Sequence, residues 1–174
     1  MLWSMEAVPG EEMVALCDDQ GRVVGSAPRS VMRARNLRHA ATGILVTNSA
    51  GEVYVHRRTD TKDVYPGHHD FAAGGVVAAG ETPLVCAERE LAEELGISGV
   101  PLVPAGETDY ADDHVSFHAW LYTVTWDGPI RHQPSEVAWG AWVSRDEVAR
   151  MIEDPAIPVM PDSIAVWRDV DLLP

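Results

Sequence analysis

The sequence predicts an α/β fold, on three observations. Residues 83–95 carry a helix signal whose apolar residues form one stripe fit to dock on a sheet. Before it, two pairs of short apolar runs close around turn residues, the mark of β-hairpins. After it come further strand candidates and a second capped helix, with no internal repeat, low-complexity tract or linker. A chain of 174 residues is enough for one domain with a well-filled core and short for two, so residues 1–174 are read as a single domain.

Taken in order, residues 13–17 and 22–25 are apolar runs around the turn Asp18-Asp19-Gln20-Gly21, which gives an N-terminal hairpin. Ser26 and Pro28 then open a short helix through Arg35, so this hairpin and helix occupy about residues 12–36. Arg29, Arg33, Arg35 and Arg38 make the densest positive stretch of the chain; phosphate attraction and an ordinary solvated face explain it equally well. Residues 43–47 and 53–55 flank Asn48-Ser49-Ala50-Gly51, a second hairpin expected at the centre of the sheet. It delivers Arg58 and, four residues on, Lys62. Residues 65–70 form a loop in which His68 and His69 are read as solvent or substrate contacts rather than joint metal ligands, and residues 71–75 feed the long helix. Beyond that helix, residues 100–106 and 115–125 are strand candidates joined by the acidic stretch 109–114. Trp126-Asp127-Gly128-Pro129 is a turn, and Glu136 precedes a strand over 137–143. Ser144 with Glu147 caps a helix through Ile152, three prolines keep 155–161 irregular, and a last helix covers about 163–170.

The helix at 83–95 has both ends marked. Thr82 is a good N-cap, Pro83 sits where a helix tolerates proline, and Gly96 followed by Ile97 supplies the left-handed stop and the apolar residue beyond it. At 3.6 residues per turn, Leu84, Ala87, Leu91 and Leu95 form the apolar stripe. Glu90, Glu93 and Glu94 share a second face and are expected to look outward. Carboxylates at these spacings repel one another by a few tenths of a kcal/mol per pair, roughly, unless a cation neutralises them. A hard, oxygen-preferring ion such as Mg²⁺ suits that face. Cys17 and Cys86 lack the spacing of a metal knuckle and are read as packing residues, Cys86 close to the apolar stripe.

Composition narrows the partners. Hydrophobic residues make up 46% and charged ones 23%, an ordinary globular balance, while a formal net charge of −14 argues against binding to nucleic acid polymers or anionic membranes. A polyanionic substrate would therefore need a local basic patch and a bound metal. No apolar run approaches the ~20 residues of a membrane span, and residues 1–10 have neither the basic start nor the apolar core of a secretory leader. A cytoplasmic protein is expected.

Gly75, Glu81, Arg89-Glu90, Leu91, Glu93-Glu94, Gly96 and Ile97 stand at every fixed position of the Nudix box, which the window from 75 to 97 resembles in full. More loosely, NLRHA at 36–40 and RRTDTKDVYPG at 57–67 resemble the Nudix branch that includes isopentenyl-diphosphate isomerases. The resemblance implies an α/β/α sandwich with a mixed β-sheet between helices, a Mg²⁺ or Mn²⁺ site on the box helix, and hydrolysis of a diphosphate linked to another moiety, of the nucleoside diphosphate type or related to it. It further implies that Glu90, Glu93 and Glu94 hold the metal, with the Gly75 carbonyl as a further ligand. Glu81 and Arg89 would brace the loop, Arg58 and Lys62 would hold substrate phosphate, and Glu93 or Glu136 would be the general base. The partner is then a small-molecule diphosphate; the oligomeric state stays open, a homodimer included.

Two rivals bear on this reading. In the isomerase branch a cysteine precedes the box glycine and a metal-binding histidine follows it, whereas here those positions are Gly74 and Val76. His39 matches another isomerase metal histidine, but His114 stands near where a glutamate is expected, so the isomerase reading is disfavoured. A non-catalytic nucleotide-binding sensor would go with a broken box, and this box is intact. The group attached to the diphosphate is not encoded in any motif; the specificity loops are expected near 60–70 and 105–115.

Overall fold

The structure is a computed structural model that describes residues 3–4 and 10–174; most of the 1–10 stretch considered as a leader lies outside the described residues. Among the described residues ten strands and four helices follow one another: β1 (Trp3–Ser4), β2 (Met13–Cys17), β3 (Val23–Pro28), α1 (Arg29–Ala34), β4 (His39–Thr47), β5 (Val53–Arg58), β6 (His69–Asp70), β7 (Ala73–Val76), α2 (Pro83–Leu95), β8 (Val103–Ala111), β9 (Ser116–Thr125), β10 (Val137–Val143), α3 (Arg145–Glu153) and α4 (Pro161–Asp169).

Strand β4 is the hub of a mixed, curled sheet. Along its whole length it runs parallel to β9, from His39 opposite Phe117 to Thr47 opposite Thr125. Its other edge is taken by β7, antiparallel from Ala41 opposite Val76 to Ile44 opposite Ala73. The hairpin partner β5 meets β4 only at Thr47–Val53 and pairs instead with β10 and β6. The sheet therefore forks where β4 and β5 part. The long parallel pairing of β4 with β9 needs a crossover, which α2 and β8 provide.

Alternation along the strands sends apolar side chains to both faces, so the sheet is buried on both sides. Ile44, Val46, Tyr122 and Val124 pack with Ala87, Leu91, Leu95 and Ile97 on the α2 side. Leu45, Phe117, Ala119 and Leu121 pack with Val148, Met151, Val166 and Trp167 on the α3 and α4 side. This is the α/β/α layering, with a separate core under each helical layer.

Several local readings need correction. Ser26 does not open a helix; it lies within β3 opposite Ala15, whereas Pro28, the last residue of β3 and opposite Met13, is the N-cap of α1, which starts at Arg29. Ladder pairing satisfies the backbone there, and it outweighs the cap signal. Leu84 is 43% exposed and lies outside the core, whereas Cys86 and Glu94 are buried. The buried face of α2 is rotated away from Leu84: β7 beneath it carries Gly75, whose missing side chain leaves room for Glu90, and Gly74, whose amide donates to Glu94. A Cβ on Gly75 would lie 2.4 Å from the Glu90 carboxyl. Glu90 and Glu94 thus do not look outward; of the three carboxylates only Glu93 is exposed.

Candidate active site

A cleft of about 520 Å³ opens along the fork of the sheet, with α2 on one wall. The helix is held at both ends as its sequence dictates: the Thr82 hydroxyl accepts the Val85 amide at 3.3 Å, and Gly96 adopts φ 68°. Between these ends Glu90, Glu93 and Glu94 line the cleft together with Gly75. Glu94 is 6% exposed and accepts the Gly74 amide at 3.1 Å. Burial, then the charges of Glu90, Asp70 and Glu136, push its carboxyl well above the usual range, only partly opposed by that amide. Burial also raises Glu90, against the pull of Arg89.

Arg89 ties the start of the box to the helix. Its Nε and Nη2 donate to Glu81 at 2.9 and 3.0 Å, and its Nη1 donates to Glu90 at 2.7 Å and to Glu93 at 3.3 Å. Glu81 also accepts the Ala78 amide at 3.1 Å, so one fork-shaped cation fixes both the turn and two cleft carboxylates. The bidentate pair with Arg89 is the largest influence holding Glu81 below the usual carboxylate range.

The opposite wall is basic in part. Arg58, at the end of β5, donates from Nε to the Val64 carbonyl at 3.2 Å and has no carboxylate partner among the described residues. Lys62 forms an ion pair with Glu136, whose carbonyl accepts the Thr59 amide at 3.1 Å. All three line the cleft. Of the arginine-rich stretch, Arg29 and Arg33 reach it, paired with Glu12 at 3.0 Å and Asp63 at 3.3 Å. Arg35 and Arg38 do not; Arg38 pairs with Asp109 on β8.

The histidines divide. His39 lines the cleft, 2% exposed, with Nδ1 3.0 Å from the Leu37 carbonyl; burial pushes its ring down to about 4, so it is neutral near pH 7. His68 and His114 lie with Tyr65 around a separate pocket. His69 packs its ring edge-on to Trp139 and does not line the cleft.

Sequence reasoning passed over Asp70, Gln133, Asp162 and Ser163, which also line the cleft. Asp70 accepts the Ser163 hydroxyl at 2.8 Å and the Ala72 amide at 3.1 Å. Nothing marks these residues in the chain: Asp70 ends a loop, and Pro161-Asp162-Ser163 reads as an ordinary helix start.

Among the described residues no three Asp, Glu, His or Cys side chains are gathered closely enough to cage an ion unaided. The donor set nonetheless fits a hard divalent cation. Glu94 is a buried carboxylate whose protein hydrogen bond is one amide, with further carboxylates close by and no cationic side chain paired to it. Glu90, Glu93, Glu94 and the Gly75 carbonyl are the oxygens that could hold such an ion. Among the described residues no helix is long and apolar enough to cross a membrane.

Residues 37–163 match the NUDIX domain. An uncharacterised Nudix hydrolase of Rhodococcus erythropolis, orf19, is 43% identical over 171 residues, which cover 92% of each chain. The uncharacterised Nudix hydrolase YfcD of Escherichia coli K12 is 38% identical over 159 residues, 90% of this chain and 86% of the relative. Among solved structures, DR0079 from Deinococcus radiodurans matches with a TM-score of 0.79 at 23% identity, covering 92% of this chain and 99% of the other. A MutT protein from Methanosarcina mazei matches with a TM-score of 0.61, covering 75% and 88%. Nudix hydrolases generally use a divalent metal and act on small molecules. On the domain match and the identity to these relatives, the chain belongs to the Nudix family and is a hydrolase.

Proposed function

We propose that this enzyme cleaves the diphosphate linkage of a nucleoside diphosphate-type or related small molecule by attack of water, with Mg²⁺ or Mn²⁺ as cofactor, in the cytoplasm. The observation that supports this best is the pairing of walls: buried carboxylates of α2 face Arg58 and Lys62 across one cleft. A diphosphate needs its charge neutralised before water can attack, and a divalent cation supplies that neutralisation and acidifies water.

The chain's own residues have separable tasks. Glu90, Glu93 and Glu94 hold the cation with the Gly75 carbonyl, and Arg89 with Glu81 keeps that loop and helix in register. Arg58, without a carboxylate partner among the described residues, offers its guanidinium to phosphate. Lys62 starts out occupied by Glu136. A phosphate that draws Lys62 away leaves the Glu136 carboxylate free to take a proton from water, so substrate binding readies this base; Glu93, exposed on α2, is the alternative base. Isomerisation at an allylic carbon is not favoured. Gly74 offers no acid, base or thiol, and a Cβ there would lie 2.1 Å from the Thr42 carbonyl oxygen, so a side chain needs a shifted strand.

The decisive experiment measures release of inorganic phosphate, pyrophosphate or a phosphomonoester with Mg²⁺ from nucleoside di- and triphosphates, nucleotide sugars, dinucleotides and prenyl diphosphates. Release from at least one class, abolished by chelator, is the expected result. No metal-dependent release from any class would overturn the proposal.

A further inference from the structure

Among the described residues the sheet has two long edge strands, and only one of them is guarded. Strand β8, nine residues, pairs with β9 alone, and β10, seven residues, pairs with β5 alone. A bare edge is a template for another strand, so edges are blunted with proline, bulges, charge or a covering element. β8 has all four: Pro104, a bulge between Pro104 and Gly106, the acids Glu107 and Asp109, and α4 packed on it, where Thr108 donates to Asp169. β10 reads Val-Ala-Trp-Gly-Ala-Trp-Val, without charge or proline, and its one bulge lies at its start, between Val137 and Trp139. Among the described residues the backbone of 138–143 makes no hydrogen bond except to β5. Alternate residues of an antiparallel strand point N–H and C=O away from their partner, so every second residue of β10 offers both to whatever lies alongside. Trp139 stands there 47% exposed, and Ala138 is exposed beside it.

The side chains select the occupant. Laid antiparallel on a second copy of itself about a two-fold axis at Gly140, the strand sets Trp139 opposite Ala141 of the copy and Ala138 opposite Trp142 of the copy. Large meets small at each of these pairs, and paired residues project to the same face of the joined sheet. Charge agrees. A chain of net charge −14 repels its copy, and β10 is a line of approach along which no like charges meet. Area then sets the strength: one added strand pair and two tryptophans cover less than the roughly 1,200 Å² of a standard interface, so the association is weak.

We propose that β10 is a self-association edge, through which two copies of this chain join antiparallel about Gly140 into one continuous sheet. Glu136, which lines the cleft, directly precedes β10, so the join lies beside both clefts.

Sedimentation equilibrium on the full chain, from about 1 µM to about 1 mM, tests this. The expected result is an equilibrium between the 19.0 kDa monomer and a dimer, with Kd on the order of 10 to 100 µM. The dimer should tighten as salt rises, because like-charge repulsion is what opposes it. Trp139→Lys and, separately, Ala138→Lys put a charge on an exposed position of the edge, and each should weaken the dimer about tenfold or more while the melting temperature holds. Under mild oxidation, a mixture of Trp139→Cys and Ala141→Cys proteins should crosslink more readily than either alone, the native Cys17 and Cys86 being buried. A wild-type chain that stays monomeric throughout the range overturns the proposal. It does so even if that monomer binds a synthetic peptide of residues 136–144, since the edge would then serve another protein's strand. A dimer undiminished in both folded lysine variants, or crosslinking no better in the mixture, also overturns it, because the copies would then meet elsewhere or in another register.

Discussion

The two walls of the cleft are built in different ways. The α2 wall comes from one contiguous stretch in which helical periodicity sets every spacing. The facing wall is assembled from Arg58 and Lys62 after β5, Asp70 on β6, Glu136 before β10 and Asp162 at the start of α4. Their charges differ in kind as well. On the facing wall Lys62, Arg33 and Arg29 are each already partnered by a carboxylate. On α2, Glu94 is buried with a single amide donor and no cation paired to it. Arg89 partners Glu90 and Glu93, so on the first wall Glu94 alone of the three carboxyls has no cation paired to it among the described residues, whereas the second wall, Arg58 apart, carries pairs that a substrate can rearrange. Substitutions in the first should therefore switch activity off, while those in the second should grade it.

The largest effect is expected for Glu94→Gln. The amide keeps the volume and removes the charge, so kcat should fall by a factor on the order of 10² or more. The melting temperature of the metal-free protein should hold or rise, because a carboxyl whose charged form is disfavoured by burial is replaced by a neutral amide. Steady-state kinetics and thermal melting check both halves. A folded Glu94→Gln enzyme with wild-type kcat would remove the distinction between the walls.

Arg58→Ala and Lys62→Ala come next. Loss of one charge-assisted phosphate contact costs roughly 1.5 to 3 kcal/mol, so kcat/KM should drop by about one to two powers of ten with the fold unchanged. The two should differ in how they fail. Arg58→Ala removes a guanidinium with no carboxylate partner, whereas Lys62→Ala also leaves Glu136 unpaired from the start. Unchanged kcat/KM for both on the best substrate would reduce them to surface ion-pairing residues, each pair worth under about 1 kcal/mol.

A third test concerns stability on the assembled wall. Asp162 has a folded value of about 7 against an ordinary 3.8, so the folded protein binds its proton more tightly than the unfolded chain does. Its contribution is fully present below about 4 and is lost as pH rises through about 7. At about 1.4 kcal/mol per unit the loss has a ceiling of roughly 4 kcal/mol. Asp162→Asn keeps the Oδ1 acceptor for the Ser163 amide and cannot ionise. In metal-free protein it should therefore melt near wild type at pH 4 and higher than wild type at pH 8. Equal differences at the two pH values would show that Asp162 is not a strained carboxyl.

The same contrast explains how much could be read from the chain. The helix at Pro83–Leu95 was legible to the residue because both caps are local: Thr82 and Gly96 act through their own hydroxyl and backbone angle. The strand at Val137–Val143 and the Ser144 cap were legible for the same reason. The outward direction assigned to Glu90 and Glu94 failed, since it depends on another element, where Gly75 makes room for Glu90 and the Gly74 amide holds Glu94. The start of β4 at His39 is set by pairing with β9, which lies far along the chain. Asp70 and Asp162 are brought together only when α4 folds back, through a serine 93 residues away from its partner. Spacing rules see neither.

The smallest effect separates two residues that the sequence treats alike. Arg33 and Arg35 sit two apart in the same basic stretch, but Arg33 lines the cleft beside Asp63 while Arg35 is exposed and outside it. Arg33 already has a carboxylate partner and is partly exposed, so its pull on an incoming phosphate is partial and works through the solvent-screened field. Arg33→Ala should lower kcat/KM only a few-fold, roughly, and the deficit should shrink as ionic strength rises. Arg35→Ala should leave kcat/KM unchanged at every salt concentration. The measurement is a salt series of kcat/KM for both variants against wild type. Equal effects from the two would mean that the basic stretch acts as a diffuse charge, and that lining the cleft adds nothing to it.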